Sequence, residues 1–182
     1  MSTKNVAEIL ASIVKRPEIE HYMSSSDSGP WQRMGEGWLK FDDSSTAQTE
    51  SIKYINQNTQ TEDTTSYKVA YSFECDLMYA DPTIKDVYRL YKDRKILDEC
   101  ERYVLTVEKF DGNKTDGFNA YLEKLAIAPS GISESSNRMR ISGNFNGKGD
   151  PVKGKFVPDE NGGGTFTAVS DESAGTETDT TT

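Results

Sequence analysis

The sequence predicts a mainly β protein, an antiparallel sandwich or open barrel with one flanking α-helix, polar arms and a disordered acidic C-terminal tail. Three observations predict it. Tyr67, Val69, Tyr71, Phe73, Cys75 and Leu77 alternate with Lys68, Ala70, Ser72, Glu74 and Asp76, the period of two that a strand with one buried face requires. Asp81 and Pro82 then open a stretch in which Ile84, Val87, Tyr88 and Tyr91 recur at helical spacing, with Asp81 as cap and Pro82 in the first turn. The remaining apolar alternations are separated by roughly ten residues, the rhythm of antiparallel strands with one helix inserted among them.

Taken in order, Val6, Ile9, Leu10, Ile13 and Val14 lie at helical spacing between a Thr3 or Asn5 cap and the stop at Pro17, which suits a short helix or an adaptable arm. Residues 18 to 23 read as a strand and 24 to 30 as a loop. Residues 31 to 41 read as one strand anchored by Trp31, in which Gly35 and Gly37 mark a bulge or a close approach of another backbone. Residues 42 to 64 are rich in Asp, Ser, Thr, Gln and Asn, broken by Ile52, Tyr54 and Ile55, and read as a ribbon between polar loops. The central strand and the helix follow. Residues 101 to 110 and 118 to 128 supply two more strands. In 138 to 157, Met139, Ile141 and Phe145 share one face while Arg138, Arg140, Ser142 and Asn144 share the other. Gly147, Gly149 and Pro151 predict that this stretch reverses into a local hairpin. Residues 165 to 169 close the sheet.

The 182 residues are most simply one domain, 1 to 169, but only 34% of them are apolar, so the expected core is thin. The formal charge is −9; Asp171, Glu172, Glu177 and Asp179 carry four of these charges, which leaves −5 over residues 1 to 168. A chain so short of surplus Lys and Arg is not built to wrap nucleic acid, because neutralising phosphates requires them. Residues 170 to 182 have the composition of a disordered acidic tail. The N-terminus lacks a long apolar stretch, and no apolar run reaches the ~20 residues of a membrane span. We therefore expect a soluble protein made in the cytoplasm, with no membrane partner.

Candidate chemistry is sparse. His21 is the single histidine and reads as solvated; no Ser, Cys and His grouping has the spacing of a triad. The carboxylates are numerous but none lies in a motif that singles it out as an acid or base. Gly162 to Gly164 lacks the Lys and Ser or Thr of a phosphate loop. Cys75 falls on the apolar parity of its strand, so it and Cys100 are expected as free, packed thiols. No enzyme, cofactor or metal site is expected.

Five short pieces, in order, carry a resemblance. They are Arg33-Met34-Gly35-Glu36-Gly37; Tyr54-Ile55-Asn56 with Thr61 and Asp63; Tyr71-Ser72-Phe73; Asp81-Pro82 at the helix start; and Ser142-Gly143-Asn144-Phe145-Asn146 followed by Lys148-Gly149-Asp150-Pro151-Val152-Lys153-Gly154. In them the chain resembles the major tail tube proteins of long-tailed, siphovirus-type bacteriophages of Gram-positive bacteria. The resemblance implies a two-sheet antiparallel sandwich with a flanking helix, forming six-membered rings that stack into a tube through which DNA leaves. It also implies a virion location after assembly in the host cytoplasm, and tape measure, tail initiator and terminator proteins as partners. A different class fits the composition too, a monomeric Ig-like adhesion or carbohydrate-binding module displayed on a virion.

Two sets of residues are singled out within that reading. Ile52, Tyr54 and Ile55 are apolar residues in a segment too polar to fold on itself, so residues 42 to 64 are the candidate arm that docks on an adjacent subunit. The polar parity of the central strand, Ser72, Glu74 and Asp76, is the candidate lumen surface, since a duplex that must slide needs a neutral or acidic wall. The face carrying Arg138 and Arg140 is expected to be a different and poorer one.

Overall fold

The computed structural model describes residues 13–56 and 58–169. The expected N-terminal helix and the acidic tail therefore fall outside the described residues, apart from Ile13 and Val14, which are exposed. In chain order the elements are β1 (Ile19–Ser24), β2 (Gln32–Met34), β3 (Trp38–Asp43), β4 (Thr46–Ile52), β5 (Thr61–Lys68), β6 (Ala70–Asp76), α1 (Pro82–Lys92), β7 (Glu101–Asn113), β8 (Gly117–Ser135), β9 (Arg138–Gly147), β10 (Val152–Pro158) and β11 (Gly164–Ala168). Nine strands form one sheet in the order β2-β1-β7-β8-β9-β6-β3, with β10 and β11 branching from β8, while β4 and β5 pair only with each other. All pairings are antiparallel.

The sheet curls because it has two cores on opposite faces. One contains Met23, Trp38, Phe73, Cys75, Val104, Leu125, Ile127, Ile141 and Phe145 beneath the helix. The other contains Tyr22, Trp31, Leu105, Val107, Phe118, Ala120, Leu122 and Phe156. Consecutive residues belong to different cores in β1 (Tyr22, Met23) and β7 (Val104, Leu105), and successive side chains of a strand point to opposite faces. These strands are thus buried on both sides, and the sheet bends over each core in turn. Around the first, His21 of β1 and Phe41 of β3 come within 4.6 Å, centroid to centroid, although four strands separate β1 from β3 in the sheet. Around the second, Tyr22 of β1 and Phe156 of β10 approach to 4.7 Å. The result is the expected open barrel with one helix, built from one continuous sheet where the resemblance implied two.

The helix begins as read from the sequence. Asp81 Oδ1 accepts from the backbone N–H of Thr83 and Ile84 at 2.9 and 3.1 Å, so two of the orphan donors of the first turn are satisfied. Its buried stripe is Thr83, Ile84, Val87 and Leu90; Tyr88 and Tyr91, expected on it, stand at its margin. Two polar contacts fix the helix to the sheet. Trp38 Nε1 donates to Thr83 Oγ1 at 3.0 Å, and the Arg102 guanidinium grips both Asp86 oxygens at 2.6 and 2.9 Å. Cys75 and Cys100 are free and buried. Burial pushes the Cys75 thiol up to about 12, which fits a packed side chain and no nucleophile.

Three expectations fail, each for a physical reason. The chain does not reverse at 146 to 151: β9 runs antiparallel to residues 125–135 of β8, and β10 runs in the same direction against residues 118–122. Two residues of β8, Glu123 and Lys124, face the four of 148–151, and Gly149, with φ of 130°, takes part in that bulge. A Gly, Asn and Pro cluster signals a bulge as well as a turn. The actual hairpin is β8 with β9, closed by Ser136 and Asn137, both at positive φ (53° and 60°), the geometry whose twist matches a two-residue hairpin. Next, residues 31 to 41 are two strands, since β2 pairs with β1 and β3 with β6 at opposite ends of the sheet. The chain crosses between them at Gly37, whose φ is 88° and where a Cβ would stand 2.7 Å from Ile84 Cδ1.

The third failure is His21, which is largely buried instead of solvated. Its Nδ1 lies 3.2 Å from Thr106 Oγ1, and burial, assisted by Arg16, lowers its pKa from 6.5 to about 4. The unfolded chain therefore binds this proton first. Stability from His21 is complete above pH 6.5 and is lost as pH falls from 6.5 to about 4, by at most roughly 3 kcal/mol. Urea unfolding of wild type and His21→Gln across that window should show a flatter pH dependence in the variant. Parallel curves would show that the histidine is not held neutral.

Candidate functional site

The most exposed ordered segment is the ribbon of β4 and β5, in which every residue is exposed. It continues the β3–β6 pair outward: Asp42↔Ser72 and Asp43↔Tyr71 are followed by Thr46↔Lys68 and Ala47↔Tyr67. The base is stitched by Ser44, whose N–H and hydroxyl both donate to the Ala70 carbonyl at 2.8 and 3.0 Å, and by the Ala70 N–H donating to Ser45 Oγ at 3.1 Å. Beyond the base no described residue backs the ribbon. Tyr67, which continues the apolar alternation of β6, is 69% exposed, and Ile55 near the tip is fully exposed.

The ribbon's stability is poor by composition. Thr and Ser supply β propensity without an apolar face, and an isolated two-stranded ribbon is marginal in water. Glu50 also stands directly opposite Asp63, a like-charged cross-strand pair that destabilises. The three apolar candidates cluster at the far end. Ile52 is the last residue of β4, Tyr54 and Ile55 lie just beyond it, and all three are exposed.

The sheet itself ends in unpaired edges. Among the described residues β2 pairs only with β1, β3 only with β6, and β11 only with β10. Where β3 curls back toward β1, Arg16 Nη2 donates to the Leu39 carbonyl at 2.9 Å. Rows of free N–H and C=O groups of this kind are templates for another strand.

Ser72, Glu74 and Asp76 share the face of β6 opposite the helix-covered core. The structure brings Arg138 and Arg140 onto the same face, which corrects the expectation that they lie elsewhere. Asp76 pairs with Arg140 in register, and its carboxylate accepts from Arg138 Nη1 and Arg140 Nε, both at 2.9 Å, while Arg140 Nη1 reaches Glu74 at 3.0 Å. The two guanidiniums, Arg138 foremost, hold Asp76 below the usual carboxylate range. Asp76 is buried, whereas Ser72 and Glu74 are half-buried. On β3, Lys40 and Asp42 join this face opposite Glu74 and Ser72. Lys40, Arg138 and Arg140 thus balance Asp42, Glu74 and Asp76.

Chemistry beyond pairing is not assembled here. Among the described residues no group of three His, Cys, Asp or Glu is placed to hold a metal ion. No helix among them is long and apolar enough to cross a membrane.

No family model matches the chain, and neither does any curated protein. Solved structures do share its fold. The chain is similar to the SPP1 tail tube determined by solid-state NMR and cryo-EM, with a TM-score of 0.61 at 14% identity over 79% of this chain and 80% of that one. It is similar to the tail of an empty gene transfer agent particle refined with C6 symmetry, with a TM-score of 0.56 at 11% identity over 76% and 97%. It is also similar to a chain of the six-fold symmetrised anti-feeding prophage baseplate, with a TM-score of 0.52 at 10% identity over 84% and 97%.

The difference between ribbon and sheet is measurable in the protein in dilute solution. Amides of β4 and β5 should exchange with solvent at least roughly 100-fold faster than those of β7 and β8, whose opening requires loss of both cores. Equal protection would mean that the ribbon is stabilised within its own chain.

Proposed function

We propose that this chain is the structural subunit of a bacteriophage tail tube, which pairs head-to-tail with copies of itself into six-membered rings that stack into a conduit for DNA. The observation that carries the reading is the ribbon. It is ordered as a continuation of the sheet, it has no interior of its own, and it ends in Ile52, Tyr54 and Ile55 in water. Burial against a neighbour is what would offset the entropy of ordering it. Among the described residues β2, β3 and β11 each keep a free edge, and unlike edges of this kind are what a heterologous, head-to-tail contact joins. The shared fold with the SPP1 tail tube and with two six-fold assemblies supports the same reading.

In this proposal residues 42 to 64 are the arm, residues 1 to 169 the tube-forming domain, and residues 170 to 182 an acidic appendage. Tape measure, initiator and terminator proteins would set the tube's length and ends. The subunit would assemble in the host cytoplasm and reside in the virion, with no enzymatic role. Deleting residues 47 to 66 and joining the base with a short Gly-Ser linker should leave a folded monomer that forms no tubes by electron microscopy. Normal tubes from that variant would end the arm assignment.

The lumen would be the charge-balanced face of β3, β6 and β9. A wall without surplus cations offers a sliding duplex little counterion-release affinity. Asp76 is unsuitable for testing this, because its replacement strands two arginines. Ser72 and Asn144, opposite each other in register on that face, are the positions to charge. Ser72→Lys with Asn144→Lys should permit tubes yet slow DNA ejection, and unchanged ejection kinetics in virions carrying both would remove this face from the lumen.

A further inference from the structure

Where the curled sheet stops short of closing, a cavity of about 430 Å³ opens between β1, β3, β6 and β8. Its walls are aromatic. Phe41 and Tyr71 stack with centroids 5.0 Å apart and planes at 6°, and His21, Tyr121, Asp43 and Glu123 are also among the lining residues. Glu123 is only 8% exposed. Its Oε2 accepts from the Tyr71 hydroxyl at 2.6 Å. Its Oε1 has no hydrogen-bond partner among the described residues and is not a sealed, unpaired atom, and Glu123 lines the cavity.

No cation among the described residues compensates this pair. Neither Glu123 nor Asp43 takes part in an ion pair, and Asp43 accepts only from the Ser45 N–H. Lys153 stands across from Tyr121 in register and pairs with neither. His21 stays neutral at pH 7. A buried carboxylate is unfavourable unless a cation faces it, and aromatic faces attract the same charge. One rim of the cavity is β3, whose outer edge has no strand partner, so a chain pairing there would carry its side chains over the opening.

We propose that this cavity receives one Lys or Arg side chain of a second copy of the chain, its charged head against Glu123 and Asp43 and its methylenes along Phe41, Tyr71 and Tyr121. The occupant rests on the self-assembly reading above; the cation chemistry does not.

The test uses the full chain with Glu123→Gln and Asp43→Asn combined. The side-chain amide introduced at position 123 keeps the acceptor for Tyr71 and the volume while removing the charge, so dispersed subunits should melt at or above the wild-type temperature. The concentration at which tubes form should rise at least roughly tenfold. In parallel, dispersed wild type is titrated with n-butylguanidinium and followed by tyrosine fluorescence. Saturable binding that the double variant lacks is expected. Assembly of the variant at the wild-type concentration, or loss of assembly only in step with a lowered melting temperature, would overturn the proposal. Should wild type form no tubes at all, the assembly reading fails by itself and the titration decides. Absent saturation then overturns the cation site, and saturation there retains the site while overturning a second copy as its occupant.

Discussion

The structure depends on β1, β7 and β8 being buried on both faces. Most antiparallel strands present one face to a core and the other to water, but here Tyr22 and Met23, and Val104 and Leu105, are adjacent pairs assigned to opposite cores. A flat sheet could not bury both sets with so few apolar residues. Bending toward one core at the helix end and toward the other at the β10–β11 end lets each side be covered by the sheet's own distant strands. The 19-residue β8 makes this possible, because it is long enough to pair with β10 in one half and β9 in the other. The two-residue surplus at 148–151 is the joint between these bends.

That solution leaves consequences at the rim. A sheet curled around two cores does not close on either, so β2, β3 and β11 keep free edges and a seam opens between β1 and β3. Polar groups at this seam are held in unusual states by burial. His21 is kept neutral and Glu123 is pushed above the ordinary carboxylate range, chiefly by desolvation. Neither improves the isolated fold, since burying an ionisable group without an opposite charge is unfavourable. Such costs, together with a ribbon that carries like charges opposite each other, are ones that the proposed self-assembly would offset.

Electrostatics separates the surfaces in the same way. The formal charge of −9 is not spread evenly, and the β3-β6-β9 face is neutral because Arg138 and Arg140 lie over Asp76 and Glu74. This network also terminates β6 against β9, so one set of contacts sets strand register and surface charge together. A face of this kind has no surplus cation to offer phosphate.

Local rules sufficed for much of the fold. Alternation located β6, β7 and β9, residues 18 to 23, 118 to 128 and 165 to 169 read as strands near β1, the first half of β8 and β11, the Asp81-Pro82 cap placed the helix start, and the polar run with three apolar residues marked the ribbon, because each signal is written within a few neighbouring residues. Pairing was decided elsewhere. Nothing in residues 31 to 41 says that β2 and β3 belong to opposite ends of the sheet, and the Gly and Pro residues of 146 to 151 read equally as a turn or a bulge. Arg138, Arg140, Glu74 and Asp76 were visible as alternating charges, but their union needs the β6–β9 register, with more than 60 residues between the partners. His21 and Glu123 became buried only when β3 curled back over β1 and β8. Sequence by itself determined where most of the strands fall and, for β6 and β9, which side is apolar, through the period of the backbone. Which strands meet, and so which faces, edges and cavity exist, was decided by the tertiary structure, because it depends on how two cores with too little apolar surface share one sheet.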